Sequence, residues 1–454
     1  MNSIPAALLS SLQHVPGFDA RAFCEVHASG ERITSIRVNP AKNINVTDHF
    51  PGAEKVPWCS TGYYLPTRPS FTLDPFFHAG AYYVQEAGSM FLEQVLRQTV
   101  DLSKPLRVLD LCASPGGKST LIQSLISSDS LLVSNEVIKS RVGSLAENIT
   151  KWGSINTIIT NNDAKDFQRL PSFFDVIVVD APCSGSGLFR KDNDAITEWS
   201  PNNVELCSQR QQRILANILP ALKAGGLLVY STCSYSEKEN EEIADFLSGD
   251  HAMKSIRLST EGFAGITETR SQNNNCCGYR FYPDKIKSEG FFIAAFRKAG
   301  EEDSPQSKRR RGTEISAKEK EIIMPYLAVQ NELGFIKQKE DVLAMPKELL
   351  NDLWEIQPAL YIKKAGVKIG ALIRDELIPA HGLAMSTIIS GIFPGVETSM
   401  PVALDYLRKK DISIKEKTKG WALVKYCGNN LGLIKILPGR INNYYPKELR
   451  ILNR

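Results

Sequence analysis

Between residues 101 and 299, short runs of apolar and β-branched residues alternate with longer stretches of helical periodicity. The clearest run, Asp175–Asp180 (DVIVVD), is apolar at every interior position, which is typical of a strand buried on both faces of a parallel sheet. Strands of this kind are predicted at Arg107–Cys112, Ser130–Glu136, Asn156–Asp163, Asp175–Asp180, Gly226–Thr232 and Gly290–Arg297. The helical patterns between them include Lys118–Ser127, Lys139–Trp152 and Glu205–Lys223. This alternation predicts an α/β fold with a doubly wound sheet.

Residues 1–100 mix helical and extended patterns and are predicted to form an N-terminal α+β domain. Arg32–Asn39 alternates as a strand does, with basic side chains on one face, and Val84–Val100 has the periodicity of an amphipathic helix. The aromatic residues between Trp58 and Tyr83 lie beside Arg and His, so they can either stack on nucleic-acid bases or build a core. We favour the core.

The composition changes after residue 299. Residues 300–315 are predicted to be a linker, because Glu301–Gly312 is charged and poor in apolar residues. Its basic run, Lys308–Arg311, is interpreted as solvated, with a contact to RNA or a localisation signal as the alternatives. Residues 316–380 regain a globular pattern and form an intermediate domain, with strand-like runs at Ala359–Lys364 and Lys368–Arg374. Residues 381–454 form a last module.

The charge of the chain is distributed unevenly. Residues 381–454 hold twelve Lys and Arg against five Asp and Glu, a net charge of +7, so residues 1–380 sum to −3 of the total of +4. A small basic module on a slightly acidic body suggests attachment to a polyanion such as RNA. The alternative is an ordinary lysine-rich surface, and charge alone does not separate the two.

Length and cysteine usage narrow the class of protein. A chain of 454 residues is too long for one core and predicts about three domains. The nine cysteines are odd in number and lack paired CxxC spacing, so we predict neither a disulfide framework nor a metal site, and a reducing cytoplasmic location. No basic, apolar signal peptide opens the chain, and no run approaches the ~20 apolar residues of a membrane span. We expect a monomer that contacts no membrane.

Acidic and thiol side chains follow the predicted strands. Glu136, Asp163 and Asp180 end three successive strands, and two thiols, Cys183 and Cys233, stand in polar loops just after two of the strands. Because the carboxyl ends of parallel strands meet at one edge of a sheet, where open α/β sheets bind ligands, these side chains predict a site. Three other cysteines, Cys112, Cys207 and Cys427, are interpreted as small buried apolar residues.

A glycine-rich turn follows the first strand, in residues 110–120 (DLCASPGGKST). A phosphate-binding P-loop is disfavoured, because its first glycine would fall at Cys112, and the GxGxxG pattern is absent. A compact adenosine-type ligand fits better. Glu136 lies nineteen residues after Gly117, close to the ~20 expected for a carboxylate that binds a ribose.

Three segments, DLCASPGGKST, DAPCSGSGLFRKD and STCSYSEKENE, resemble the S-adenosylmethionine-dependent RNA cytosine-C5 methyltransferases of the Sun/Fmu-like family. Flanking segments such as SIRVNP, LDPFFHAGAYYVQEAGSMF and the C-terminal GWALVKYCGNNLGLIKILPGRINNYYPKELRI extend the resemblance to its RsmF-type branch, which acts on 16S ribosomal RNA. The resemblance implies a Rossmann-like class I methyltransferase domain at 101–299, an N-terminal RNA-binding domain and a C-terminal PUA-like β-rich domain.

The same resemblance implies roles for individual residues. The cofactor, S-adenosylmethionine, would be held by Cys112, Ala113, Ser114, Pro115, Gly116, Gly117, Lys118, Glu136, Asp163 and Asp180. Within that set Glu136 would contact the ribose and Asp163 the adenine. Asp180 would also hold the target base, Cys233 would be the nucleophile, and Cys183 would assist product release.

The sequence leaves open which cysteine attacks, what Lys191 contacts, and which RNA is the substrate or whether catalysis occurs at all. Physical reasoning alone does not say which cysteine attacks, because Pro182-Cys183 resembles the nucleophile motif of DNA cytosine methyltransferases. Lys191 can face either RNA phosphate or Asp180. The substrate can be transfer RNA in place of small-subunit ribosomal RNA, or the chain can be a ribosome-assembly RNA-binding protein without catalysis. The paired thiols argue against this last function, and they also disfavour a protein or small-molecule methyltransferase.

Overall fold

The computed structural model describes residues 4–300, 314–328, 332–414 and 419–452. Most of the predicted linker, and the whole Lys308–Arg311 run, lie outside these residues. In the described part of the chain, no helix is both long enough and apolar enough to cross a membrane.

The N-terminal region contains five helices and a small antiparallel sheet. In chain order the elements are α1 (Ala6–Leu12), α2 (Ala20–Ala28), β1 (Thr34–Val38), α3 (Val46–His49), β2 (Glu54–Lys55), β3 (Gly62–Leu65), α4 (Pro75–His78), β4 (Tyr82–Val84) and α5 (Leu92–Thr99). The strand order is β2-β3-β1-β4. Trp58 and Tyr82 are almost fully buried, and the indole Nε1 of Trp58 donates to the Ala87 carbonyl at 2.7 Å. These two aromatic side chains therefore belong to the core, as favoured above.

Two sequence-based predictions for this region are wrong. The helix predicted at Val84–Val100 begins only at Leu92, because the Glu86 carboxylate accepts hydrogen bonds from the backbone N–H groups of Gly88 and Ser89 and folds a tight turn there. Strand β1 lacks the predicted basic face, because the strand begins at Thr34 and Arg37 is its one basic residue. Its Arg37 is fully buried, and burial lowers the pKa of its guanidinium to about 10.

The central region holds the α/β alternation. Its elements are β5 (Arg107–Asp110), α6 (Gly117–Gln123), β6 (Leu131–Asn135), α7 (Val142–Trp152), β7 (Thr157–Thr160), β8 (Phe174–Asp180), α8 (Asn193–Glu198), α9 (Pro201–Ile218), β9 (Leu222–Thr232), α10 (Glu241–Gly249), β10 (Met253–Ile256), β11 (Ile266–Arg270), β12 (Cys277–Phe281) and β13 (Phe291–Lys298). The five strands β7-β6-β5-β8-β9 lie side by side in parallel, and β13, β12 and β11 extend the sheet antiparallel beyond β9.

The sheet is buried on both faces, as the unbroken apolar runs predict. Along β8, Val176 and Val178 pack into one hydrophobic cluster, and Ile177 and Val179 pack into another on the opposite face. Helices α5 and α6 contribute to the first cluster, and α9 and α10 contribute to the second. The predicted doubly wound architecture is confirmed. The observed strands end one to three residues earlier than predicted at β5, β6 and β7.

The C-terminal region contains two further four-stranded sheets. Its elements are α11 (Ala317–Ile323), β14 (Leu333–Gln338), β15 (Asp341–Pro346), α12 (Leu350–Ile356), β16 (Ile362–Ala365), β17 (Val367–Ile373), β18 (Glu376–Pro379), α13 (His381–Met385), β19 (Gly395–Glu397), α14 (Met400–Leu407), β20 (Gly420–Tyr426), β21 (Asn429–Leu437) and β22 (Arg440–Asn443). The sheets have the orders β14-β15-β17-β18 and β19-β20-β21-β22. Cys427 follows β20 and is exposed, so its interpretation as a buried residue is wrong.

One strand of the predicted intermediate domain belongs to the central sheet. Strand β16 pairs antiparallel with β7, with Ile362 opposite Thr160 and Ala365 opposite Ile158. Helix α12 also packs on this sheet through Leu350, Leu353 and Ile356. The segment 316–380 is therefore divided between two sheets, and the boundary at residue 315 does not separate two cores.

Candidate active site

The two thiols lie at the carboxyl ends of adjacent parallel strands. Cys183 follows β8 and Cys233 follows β9. The register of these two strands places Asp180 opposite Ser231. The Sγ atoms of Cys183 and Cys233 are 3.1 Å apart, and both cysteines are free. The loops are also joined through the backbone, where Gly187 N–H donates to the Cys233 carbonyl at 2.8 Å. The structure thus brings together two side chains that are fifty positions apart in the sequence.

The two thiols differ in their surroundings. The pKa of Cys183 is raised well above its ordinary value, first by its hydrogen bond to Cys233 and then by burial. A thiol that keeps its proton can donate it in a hydrogen bond to a neighbouring thiolate. Cys183 is therefore suited to keep its proton and to donate a hydrogen bond to Cys233.

Asp180 stands next to the thiols at the end of β8. Its Oδ2 contacts Lys118 Nζ at 2.7 Å, and its Oδ1 accepts a hydrogen bond from the Ser231 hydroxyl at 2.8 Å. The partner of Asp180 is thus Lys118 of the glycine-rich loop. Lys191, one of whose predicted positions faced Asp180, lies instead 4.0 Å from Glu289.

The glycine-rich loop connects β5 to α6. Gly116 adopts a φ of 114°, in the region that favours glycine, and it caps the start of α6 at Gly117. Buried Arg37 donates to the Gly117 carbonyl at 3.2 Å, and Arg141 donates to the Ser114 carbonyl at 2.7 Å. These bonds fasten both ends of the loop while its inner face stays open.

A cleft of about 190 Å³ opens beside this loop. Its lining joins residues from the loop, the end of β8 and the N-terminal region: Tyr83, Val84, Gln85, Glu86, Ser89, Cys112, Ala113, Ser114, Pro115, Gly117, Lys118 and Asp180. Sequence reasoning missed the N-terminal part of this lining, because Val84–Val100 reads as one helix. The polar pair Gln85-Glu86 inside that apparent helix was the signal that a turn lies there.

The two other predicted acids lie beyond the loop. Glu136 is 3% exposed, its Oε1 accepts from the Ile138 N–H at 2.8 Å, and its Oε2 lies 3.7 Å from Arg141. Because Arg141 also holds Ser114, it connects Glu136 to the loop. Asp163 is exposed and caps a short 3₁₀ helix, Ala164–Arg169, through the backbone N–H of Lys165. Glu136 is thus linked to the loop through Arg141, whereas no such link joins Asp163 within the described residues.

Asp110 at the end of β5 is a further acid that the sequence reasoning passed over. It is completely buried, and burial raises the pKa of its carboxyl to about 7. Its Oδ2 accepts from the Ser119 hydroxyl at 2.7 Å, but Oδ1 has no hydrogen-bond partner among the described residues. A buried acid with this pKa titrates near neutral pH.

The sequence matches three family models that together cover most of the chain. Residues 98–297 match the model described as 16S rRNA methyltransferase RsmB/F. Residues 4–87 match the N-terminal domain of 16S rRNA methyltransferase RsmF, and residues 393–451 match the methyltransferase RsmF PUA domain.

Curated relatives align over nearly the whole chain. The ribosomal RNA small subunit methyltransferase F of Vibrio campbellii is 32% identical over 489 aligned positions, covering 98% of this chain and 97% of that protein. The protein of the same name from Shewanella loihica is 30% identical over 414 residues, covering 87% and 83%.

Solved structures share the fold. A methyltransferase homolog protein from Pyrococcus horikoshii is 28% identical with a TM-score of 0.52, covering 65% of this chain and 100% of that one. NSun6 from the same organism, in a structure with SFG, is 20% identical with a TM-score of 0.54 and covers 66% and 99%. The relatives establish the family and the structures agree with a methyltransferase fold: the chain belongs to the ribosomal RNA small subunit methyltransferase F family.

Proposed function

We propose that this protein transfers a methyl group from S-adenosylmethionine to C5 of a cytosine in 16S ribosomal RNA. The observation that carries the proposal is the pair of thiols, Cys183 and Cys233, 3.1 Å apart and beside Asp180 at the carboxyl edge of the sheet. A cytosine needs such a site because its C5 carbon is too weakly nucleophilic to accept a methyl group unaided. The choice of small-subunit ribosomal RNA over transfer RNA is supported by the family.

The cleft beside the glycine-rich loop fits the cofactor. Gly116 has a positive φ, in the region that favours glycine, and Gly117 lines the cleft at the start of α6, so the backbone there can approach a ligand closely. We assign Cys112 to Lys118 and Asp180 to the methionine end, Glu136 to the ribose and Asp163 to the adenine. S-adenosylmethionine supplies an electrophilic methyl group there.

We assign the attack on cytosine to Cys233. Its thiolate adds at C6, which makes C5 an enamine carbon able to accept the methyl group. The Cys183 S–H, kept protonated, hydrogen-bonds to Cys233 Sγ and stabilises its thiolate. After methylation the C5 proton passes to a water molecule, the electron pair of the C5–H bond restores the C5–C6 double bond, and the C6–sulfur bond breaks. Cys233 leaves as a thiolate, which the S–H group of Cys183 stabilises by its hydrogen bond.

Asp180 is assigned to the N3 side of the base. A protonated carboxyl there would donate to N3 and offset the negative charge that develops on the ring when the thiolate adds. Its contact with Lys118 joins the base-binding acid to the loop assigned to the cofactor. The geometry therefore favours one compact site for both substrates.

The proposal is tested by transfer of a tritiated methyl group to 16S ribosomal RNA and to small subunits, with transfer RNA in parallel. Cys233→Ala should abolish transfer and leave no covalent RNA adduct. Cys183→Ala should permit attack and methylation but stall release, so a protein–RNA adduct should accumulate on denaturing gels and disappear after ribonuclease treatment. Cys207→Ala is the matched control. It removes a buried thiol that lies on helix α9, outside the two thiol loops, and should keep activity.

The possible results separate the alternatives. Adduct trapping by Cys233→Ala and not by Cys183→Ala would reverse the two roles. Full turnover by both variants would show that the thiols only pack. Methylation of transfer RNA alone would replace the proposed substrate, and bisulfite sequencing of ribosomal and transfer RNA from a deletion strain would identify the cytosine.

A further inference from the structure

A buried carboxylate lies behind the two thiol loops. Glu239 is 0% exposed and belongs to a short 3₁₀ helix, Glu237–Glu239, that follows the Cys233 loop. In the sequence Glu239 lies within a charged run, SEKENE, a pattern typical of a solvent-exposed segment. Burial of one acid from such a run needs compensating hydrogen bonds.

The hydrogen bonds of Glu239 come from the residues that follow the two cysteines. Its Oε1 accepts from the backbone N–H of Ser184 at 2.8 Å, and its Oε2 accepts from the Ser184 hydroxyl at 2.5 Å. The same Oε2 accepts from the Ser234 hydroxyl at 2.5 Å. One carboxylate therefore joins the residue after Cys183 to the residue after Cys233.

Two further residues, Gln211 and Tyr230, hold Glu239 in place. Gln211 of α9 is fully buried, and its side-chain amide donates both to Glu239 Oε1 at 3.2 Å and to the Pro182 carbonyl at 3.1 Å. The Tyr230 hydroxyl of β9 donates to the Glu239 backbone carbonyl at 2.6 Å. Glu239 and its bonds to Ser184 and Ser234 are called the clamp below. Through Gln211 and Tyr230 the clamp is attached to helix α9 and strand β9, so it holds the two thiol loops against rigid elements.

We propose that Glu239 is a positioning residue of the methyl transfer, whose carboxylate sets the distance between Cys183 and Cys233 by joining their loops. This inference rests on the proposed function. Glu239 acts through Ser184 and Ser234 and is not assigned a contact with cytosine or cofactor.

The test compares Glu239→Ala with Glu239→Gln in the full-length protein. Glu239→Ala should lower kcat about 100-fold, the size of effect that a misplacement of about 1 Å produces. The Kd for S-adenosylmethionine and the KM for RNA should stay within about twofold of the wild type. Glutamine keeps an acceptor and a donor for the same three partners, so Glu239→Gln should restore kcat to within about tenfold of the wild type.

If Glu239→Ala does not fold, a double serine variant tests the proposed positioning role of Glu239. Ser184→Ala combined with Ser234→Ala removes two hydroxyl donors from the carboxylate and should lower kcat at least tenfold with unchanged cofactor binding. Ser271→Ala is the matched control, because this buried hydroxyl donates to a different carboxylate, that of Asp245 on α10, at 2.6 Å. It should retain wild-type kcat.

Three results would overturn the inference: a wild-type kcat in Glu239→Ala or in the double serine variant, an equal loss of cofactor affinity and kcat, or a Glu239→Gln variant as inactive as Glu239→Ala. The last result would mean that the charge, and not the network of hydrogen bonds, is required. A wild-type protein that transfers no methyl group would instead refute the proposed function, so the two failures are distinguishable.

Discussion

Replacing Asp110 by asparagine should change how the stability of the protein depends on pH. Asp110 is completely buried at the end of β5, and one oxygen has no hydrogen-bond partner among the described residues. Burial raises the pKa of the carboxyl from 3.8 to about 7 in the folded protein. Asparagine has the same shape as the protonated acid and does not ionise, so it removes the cost of burying the charge.

The sign and size of the effect follow from the two pKa values. Because the folded pKa is the higher one, the folded state binds the proton more tightly, and this contribution to stability is lost as the pH rises from about 4 through about 7. Each pKa unit corresponds to ~1.4 kcal/mol. Between pH 5 and pH 8, the free energy of unfolding of Asp110→Asn should therefore rise by about 2–3 kcal/mol relative to the wild type.

The measurement is chemical denaturation of both proteins at pH 5 and pH 8, without cofactor. Asp175→Asn is a matched control on the same sheet, because its carboxylate contacts Lys223 at 2.5 Å and accepts from the Arg107 N–H at 2.7 Å. It should destabilise the protein at both pH values. A difference between Asp110→Asn and the wild type that does not change with pH, or that falls as the pH rises, would refute the reasoning.

Two further predictions concern the cofactor and the RNA. Glu136→Ala should weaken S-adenosylmethionine binding by about 1–3 kcal/mol, the cost of losing a charged hydrogen bond, and an unchanged affinity in calorimetry would remove Glu136 from the site. Replacing the exposed Arg440, Lys447 and Arg450 by glutamine should weaken RNA binding and flatten its dependence on salt, because fewer counterions are released. Lys254→Gln, an exposed charge on β10, is the control; equal slopes for the triple variant and the wild type would mean that this face is merely solvated.

The sequence predicted the sheet and the thiol pair because both depend on local patterns. Unbroken apolar runs identified β5 to β9, and parallel topology brought Cys183 and Cys233 to one edge. The ends of the strands were less predictable. Strand β7 stops at Thr160, and beyond it the backbone N–H of Asn162 donates to the Asn135 side chain. The Asn162 side chain bonds to the backbone of Tyr361, a residue 199 positions away.

The partners of charged residues were the least predictable part of the site. Lys118 and Asp180 are distant in the sequence, and only the folded chain shows their contact. The basic face predicted for Arg32–Asn39 failed for the same reason, because the alternating pattern does not show what Arg37 contacts. Its buried position is explained by acceptors on other segments, namely the Gln85 side chain and the carbonyls of the glycine-rich loop.

The pairing of β16 with β7 has a consequence for how the molecule can be divided. After β13 the chain leaves the central sheet, and it returns with β16, which pairs with β7 at one border of the same sheet. Arg107 of β5 reinforces this return through an ion pair of 2.6 Å with Asp352. A fragment cut at the linker would leave the β7 border with bare N–H and C=O groups, a template for self-association. Strand β16, which follows the predicted linker in the sequence, is therefore a border strand of the central sheet, and the two are expected to fold as one unit.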